Sequence, residues 1–335
     1  MRRDTVTEFT IITASDIHIS DNGPRSRIDD FKSTVMDKIS QIRKACIKLK
    51  ADGFIIAGDL YNLKNPAKNS HNLNQELIKE FRQFPCPIFM IEGNHDLTAN
   101  RLDSLPEQPL GVLFADGTLI QLRHEIIEKG SVKISIVGVP YIDGIDLSKL
   151  ALPDKGNCVS QICAMHIYAG TKAGMLFKEQ LYGYDELCRF NPDIFVLGHY
   201  HIDQGIQQVM GKHFINLGSI TRGTMSDEDI SHTPQIGFIK VSVDDNGNPS
   251  YNIKSIKLKV KPSSEVFDLI RREKEDKENK EIQVFVEKLT SELTSQAMSQ
   301  NKNIEDVLNS MDMAKIVKDK VMYFINEAVA ENGQI

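Results

Sequence analysis

Five short runs of metal-ligand residue types recur down the first two-thirds of the chain, each just after an apolar stretch. They read Asp16-Ile17-His18, Gly58-Asp59, Gly93-Asn94-His95-Asp96, Met165-His166 and Gly198-His199-Tyr200-His201. Together they supply enough carboxylate, imidazole and amide groups for two adjacent divalent ions. Asp16 and His18 are two apart, so in extended chain both point the same way and can reach one ion. His199 and His201 share that spacing. Asp59 follows the small residues Ala57 and Gly58, which leave its carboxylate room to bridge. Sorted this way, Asp16, His18, Asp59 and His201 take one ion, and Asp59, Asn94, His166 and His199 take the other.

Paired ions roughly 3.5–4 Å apart lower the pKa of a shared water and steady both attacking and leaving oxygens. Their charge exceeds that of two aspartates, which leaves a site suited to a phosphodiester anion. The mixed nitrogen and oxygen donors suit manganese, iron or zinc better than magnesium, and two Mn2+ ions are the expected cofactors. His95 lies beside a ligand without being needed as one, so its imidazole can protonate a leaving alkoxide. Asp96 is expected to orient the loop. Arg25, Arg27, Arg101 and Arg222 lie near the motif loops and are candidates for substrate phosphates. His71, His124, His213 and His232 have no such context and are read as surface or structural.

These clusters need a scaffold that brings strand ends together. Residues 1 to about 260 alternate short apolar runs with amphipathic stretches, which predicts an α/β layered fold. Phe9–Ala14, Phe54–Ala57, Pro87–Ile91, Val132–Val137, Ile162–Met165 and Ile194–Leu197 read as strands. Phe31, Val35, Ile39, Ile42, Cys46 and Leu49 mark a helix around 28–50, and Leu73, Leu77, Ile78, Phe81 and Phe84 a second. From 205 to 258 the pattern is β-rich, with a hairpin turn at Asp244–Asn248. In open α/β sheets, sites form at the carboxyl ends of strands, where loops remote in sequence converge.

Composition shifts near Pro262. The expected division is 1–260 as a catalytic domain and 261–335 as a helical region. Apolar stripes at Ile282–Leu293 and Ile316–Ala328 predict two amphipathic helices there, too small for a core of their own. With 335 residues, 41% apolar and 26% charged, the chain has an ordinary globular composition. A net charge of −6 does not advertise a nucleic-acid binder, but two divalent ions would supply their own positive field. Five cysteines without a C-x-x-C pair fit free thiols in a reducing compartment. With no signal-like or membrane-spanning apolar run, a cytoplasmic location and no membrane partner are expected.

In this order, D-x-H, G-D, G-N-H-D, a lone histidine and G-H-x-H resemble the calcineurin-like metallophosphoesterase superfamily over about 9–243. Asn216-Leu217-Gly218-Ser219, then Ile220-Thr221-Arg222-Gly223 and Gly237-Phe238-Ile239, are similar to its DNA-repair nuclease branch, the SbcD-like exonuclease subunits. The resemblance implies a four-layer α/β/β/α sandwich and 3′-to-5′ exonuclease and endonuclease action on DNA. It further implies homodimerisation through about 70–84 and 100–114, and C-terminal helices that dock an SbcC-type coiled-coil ATPase. Two departures stand out. The third residue after the bridging aspartate, which supports the catalytic histidine and is His or Asp in most of the family, is Asn62. An amide there can hydrogen-bond His95 without adding charge. No βαβ capping unit is found before the C-terminal helices.

A phosphodiesterase or phosphatase of small molecules or nucleotides is the alternative function. The phosphoprotein-phosphatase pattern G-D-x-x-D-R-G is not met, since the chain continues Gly58-Asp59-Leu60-Tyr61-Asn62-Leu63-Lys64. A scaffold that has kept only the fold would have lost ligands, whereas all seven are present here.

Overall fold

The computed structural model describes residues 6–176, 179–274, 276–277, 279–280 and 322–323. The chain divides into two compact units, Met1–Phe267 and Asp268–Ile335. In the second unit, 269–274 are helical. The stripes at 282–293 and 316–328, and the ATPase-docking role expected of them, lie outside the described residues.

The first unit begins β1 (Thr7–Ala14), α1 (Phe31–Leu49), β2 (Gly53–Ala57), α2 (His71–Phe81), β3 (Ile88–Ile91), α3 (Pro109–Ala115) and β4 (Ile120–Gln121). It continues with β5 (His124–Lys129), β6 (Val132–Val139), β7 (Ser160–His166), β8 (Ala169–Gly170), β9 (Gly174–Leu176), β10 (Glu179–Gly183) and α4 (Tyr184–Leu187). It closes with β11 (Ile194–Gly198), β12 (Gly205–Val209), β13 (Lys212–Asn216), α5 (Asp227–Ser231), β14 (Gln235–Val243), β15 (Pro249–Lys257) and α6 (Ser263–Val266). The hairpin turn expected at 244–248 joins β14 to β15, with Asp244 Oδ1 accepting from the Asn246 and Asn248 N–H groups.

Two six-stranded sheets stack face to face, ordered β15-β14-β1-β2-β3-β4 and β12-β13-β11-β7-β6-β5. Strands β1 to β4 run parallel, as do β6, β7, β11 and β13. Parallel strands covered on both faces read as continuous apolar runs, and β2, β3 and β11 are buried at every position. Ile11, Ile55, Phe89, Ile136, Ile162 and Val196 fill the space between the sheets. Each such side chain contributes about 1.5–3 kcal/mol on burial.

The two outer faces are covered differently. On the first sheet lies α1, capped by Asp30, whose side chain accepts from the Ser33 N–H, and ended by Lys50 in the left-handed region. Its Phe31, Val35, Ile39, Ile42 and Cys46 pack inward beside Leu73, Leu77 and Phe81 of α2. On the second sheet the cover is the one-turn α4 and the connection between β6 and β7, through Leu147, Tyr184 and Leu187. Tyr184, Phe214 and Phe195 stack in sequence at centroid distances of 4.6 and 4.9 Å. The sandwich is therefore α/β/β/α with a thin fourth layer. The five cysteines are free. Among the described residues no helix is long and apolar enough to cross a membrane.

The first unit runs past the compositional shift at Pro262 because the segment after it is pinned to the core. Arg222 donates to Ser263 Oγ and to the Lys261 carbonyl, and Phe267 pairs with Arg27.

Candidate metal centre

The carboxyl ends of β1, β2 and β3 in one sheet, and of β7 and β11 in the other, open onto a single spot. Main-chain bonds fix the loops against one another before any side chain is considered. Asp16 N donates to the Gly58 carbonyl, His18 N to Asp59 and Ile19 N to Leu60, at 3.1, 3.0 and 2.8 Å. Asp96 ties the next loop in, accepting from Tyr61 N at 3.0 Å and Gly93 N at 3.0 Å. Burial, together with the Asp59 charge, pushes the Asp96 carboxyl up to about 8 despite those donors. Two glycines are required by close approach. A β-carbon on Gly58 (φ +91°) would lie 2.2 Å from His166 Nδ1, and one on Gly198 2.1 Å from the Ala57 carbonyl. Asp16, His18, Asp59 and His199 themselves have φ of 54°, 50°, 53° and 84°, in the left-handed region that favours glycine.

The structure brings both expected ligand sets together. Asp16, His18, Asp59 and His201 offer donor atoms within 4.8 Å of one another, and so do Asp59, His166 and His199. Asn94 joins the second set, its Oδ1 3.2 Å from His166 Nε2. Asp59 lies between the sets. Its Oδ1 accepts from His95 N at 2.7 Å. Its Oδ2 is buried without a hydrogen-bond partner and faces His18 Nε2 at 3.6 Å and His166 Nε2 at 3.4 Å.

These contacts test whether cations fit. Nε2 of His18 and Nε2 of His201 face each other at 3.0 Å, with Asp16 Oδ1 3.9 and 3.5 Å away. A cation shared by these two imidazole nitrogens and the orphaned Asp59 oxygen would satisfy all three donor atoms at once. Burial, opposed by Asp59, lowers His18 to about 3, so this imidazole is held neutral, as a ligand must be. Burial would raise Asp16, but its hydrogen bond to His201 and the charges of His201 and His166 hold it at about 2. Asp59 likewise stays well below the usual carboxylate range, with His166 and His18 outweighing burial. Burial opposes protonation of His166, yet the Asp59 charge 3.4 Å away pushes it up to about 9, a proton that ligation of an ion would displace. The donor set fits two divalent ions.

His95 sits at the edge of the first set, its ring edge-on to His18 at 4.8 Å. Its Nδ1 is 2.8 Å from the main-chain carbonyl of Asn62. The expected support therefore comes from the backbone of residue 62, and the side-chain amide does not make it. A cleft of about 780 Å³ opens here, lined by His18, Asn62, His95, His201, Lys68 and Thr224 among others.

The arginines divide. Arg27 is buried, bound through Nε and a terminal nitrogen to Asp29 at 2.8 Å each and to the Arg222 carbonyl. Arg222 is buried against α6. Both are turned into the fold, Arg27 paired with Asp29 and Arg222 held by the neutral oxygens of Ser263 and Lys261, and neither is placed to meet a phosphate. Arg101 is exposed and paired with Asp103. Arg25 is exposed, next to Pro24 of the cleft wall. His124 and His232 make structural contacts, to Ser135 Oγ and the Ser219 carbonyl.

Three residues around His199 carried no signal in the sequence. Tyr168 packs on its ring at 4.0 Å, Tyr141 at 5.2 Å, and Glu179 Oε1 lies 3.1 Å from its Nε2. None belongs to a motif, and only their tertiary placement reveals them.

A layered α/β sandwich with paired Asp/His groups at its strand ends defines a metal-dependent phosphoester hydrolase. The calcineurin-like phosphoesterase family matches residues 9–203, more than half the chain, and this chain belongs to it. Among curated relatives, the DNA double-strand break repair protein Mre11 of Saccharolobus solfataricus is 27% identical over 137 residues, 40% of this chain and 35% of that protein. Mre11 of Sulfurisphaera tokodaii is 32% identical over 83 residues, 24% of this chain and 21% of that protein. The matches thus span about a third or less of the relatives' length. The solved calcineurin-like phosphoesterase YfkN of Bacillus subtilis aligns at 13% identity and a TM-score of 0.48, covering 77% of this chain and 94% of that one.

Proposed function

We propose that this metallophosphoesterase is a DNA nuclease that hydrolyses phosphodiester bonds with two Mn2+ ions. The observation that carries the reading is the partner-free Asp59 oxygen between two ligand sets, with His95 beside it on an open cleft. The similarity to Mre11 repair proteins supports DNA as the substrate. When bound, the ions would polarise phosphoryl oxygens and lower the pKa of a water between them. Asp16, His18, Asp59 and His201 would hold one; Asp59, Asn94, His166 and His199 the other.

The chain's own part is orientation and proton transfer. Asp59 receives the His95 main-chain N–H, so ligand and acid are positioned as one piece. With Nδ1 donating to the Asn62 carbonyl, His95 keeps Nε2 for exchange with the departing alkoxide. Homodimerisation through 70–84 and 100–114, and an SbcC-type ATPase partner, belong to the same reading.

Purified protein with Mn2+ should degrade 3′-labelled duplex or single-stranded DNA, and His95→Asn should slow this about 100-fold. Turnover of small phosphodiesters or nucleotides alone would replace the nuclease reading with the alternative.

A further inference from the structure

We infer that Glu179 is a positioning residue for the second ion: its carboxylate fixes the ring of His199 so that Nδ1 is presented as the ligand nitrogen. The inference rests on the two-ion reading above and goes beyond it, because Glu179 lies outside every motif.

The geometry restrains His199 at each degree of freedom. Its main-chain N–H donates to Asp16 Oδ1 at 3.1 Å and Oδ2 at 3.3 Å, which anchors the backbone to the first ligand set. The ring packs against Tyr168 and Tyr141. One freedom is left, the half-turn of the ring that would swap Nδ1 with Cδ2 and Nε2 with Cε1, and the Nε2 contact to Glu179 opposes it. A carboxylate can only accept, so at 3.1 Å it selects the tautomer with the proton on Nε2 and leaves the Nδ1 lone pair free. The same pairing places a negative charge behind the imidazole, which raises its basicity toward a cation.

Glu179 comes from β10, in the small sheet β8-β10-β9 rather than in either main sheet. The strand is anchored by its pairing with β8 and by the Tyr182 hydroxyl, which donates to the Ile145 carbonyl. The Glu179 side chain is 38% exposed, whereas His199 is buried. The second ion therefore depends on a carboxylate near the surface.

The test is calorimetric titration of Mn2+ into the full chain, alongside long-range 1H–15N spectra of the histidine rings in the ion-free protein. Wild type should bind two ions and show His199 as the Nε2–H tautomer. Glu179→Ala should weaken the second ion about 10–100-fold, leave the first within about twofold, and lose the single tautomer. Glu179→Gln, which can still accept from Nε2–H, should keep the tautomer and most of the affinity. Unchanged affinities in Glu179→Ala, equal weakening of both ions, or a glutamine no better than alanine would each overturn the inference. Failure of wild type to bind a pair of ions would instead overturn the two-ion reading itself.

Discussion

The two halves of the metal centre are braced in different ways. The first holds Asp16 and His18 from inside, while its third ligand, His201, is exposed. Ser219 Oγ donates to the Asp16 carbonyl, Thr221 Oγ1 to the Ile17 carbonyl, and the buried Lys38 ammonium to the Ile220 carbonyl. The second half, Asn94, His166 and His199, leans on the Ala57 carbonyl under His166 and on Glu179 at the surface. Stiff interior bracing keeps ligands in place when no ion is present, so the first half should fill first and exchange more slowly. Only Asp59 belongs to both.

Replacing that shared residue has the largest expected effect. Asp59→Asn should lower hydrolysis on the order of 1,000-fold and weaken both ions in calorimetry. Retention of one tight site would show that the halves are independent. Next, His95→Gln should cost about 100-fold in kcat while both ion affinities hold. Asn62→Ala should change kcat by no more than about twofold, since the contact to His95 is made by the backbone. A large loss from Asn62→Ala would mean that the amide acts on substrate directly.

Gly58→Ala sharpens the contrast. The added carbon meets His166, a second-half ligand, so second-ion affinity should fall more than first-ion affinity, with about 1–3 kcal/mol of folding stability lost in urea unfolding. Equal weakening of the two ions would break the comparison.

The smallest effect concerns the inner brace. Burial, with Arg27 and Arg222 nearby, lowers Lys38 to about 7 in the folded chain from 10.5. Between those values the unfolded chain binds a proton that the folded chain lacks, so stability rises with pH across this window. The cost of burying the charge is in full force below pH 7 and is relieved as pH approaches the unfolded value. Urea unfolding at pH 7 and pH 8.5 should show this as a gain of about 1–2 kcal/mol that Lys38→Met abolishes.

Much of this architecture was legible from residue pattern. The ligands follow runs such as Phe54–Ala57 and Ile194–Leu197, whose apolar continuity requires burial on both faces, and α1 is visible in its three- and four-residue spacing. What escaped has a common cause. Arg27 and Arg222 stand near motif loops in sequence, but whether a guanidinium faces solvent or the interior is decided by packing. A main-chain contact such as the Asn62 carbonyl leaves no trace in residue type. Glu179 sits in a short strand of the small sheet with neither periodicity nor motif. The fourth layer is thin because irregular chain, rather than a long amphipathic helix, covers the second sheet.

The left-handed backbone at Asp16, His18, Asp59 and His199 has a further consequence. A side chain in that conformation crowds its own carbonyl, at on the order of 1 kcal/mol per position relative to glycine. The same carboxylates offset that strain, Asp16 by accepting from the His199 N–H and Asp59 from the His95 N–H. Glycine at either position should therefore lower the melting temperature even in chelator, and added Mn2+ should widen the gap.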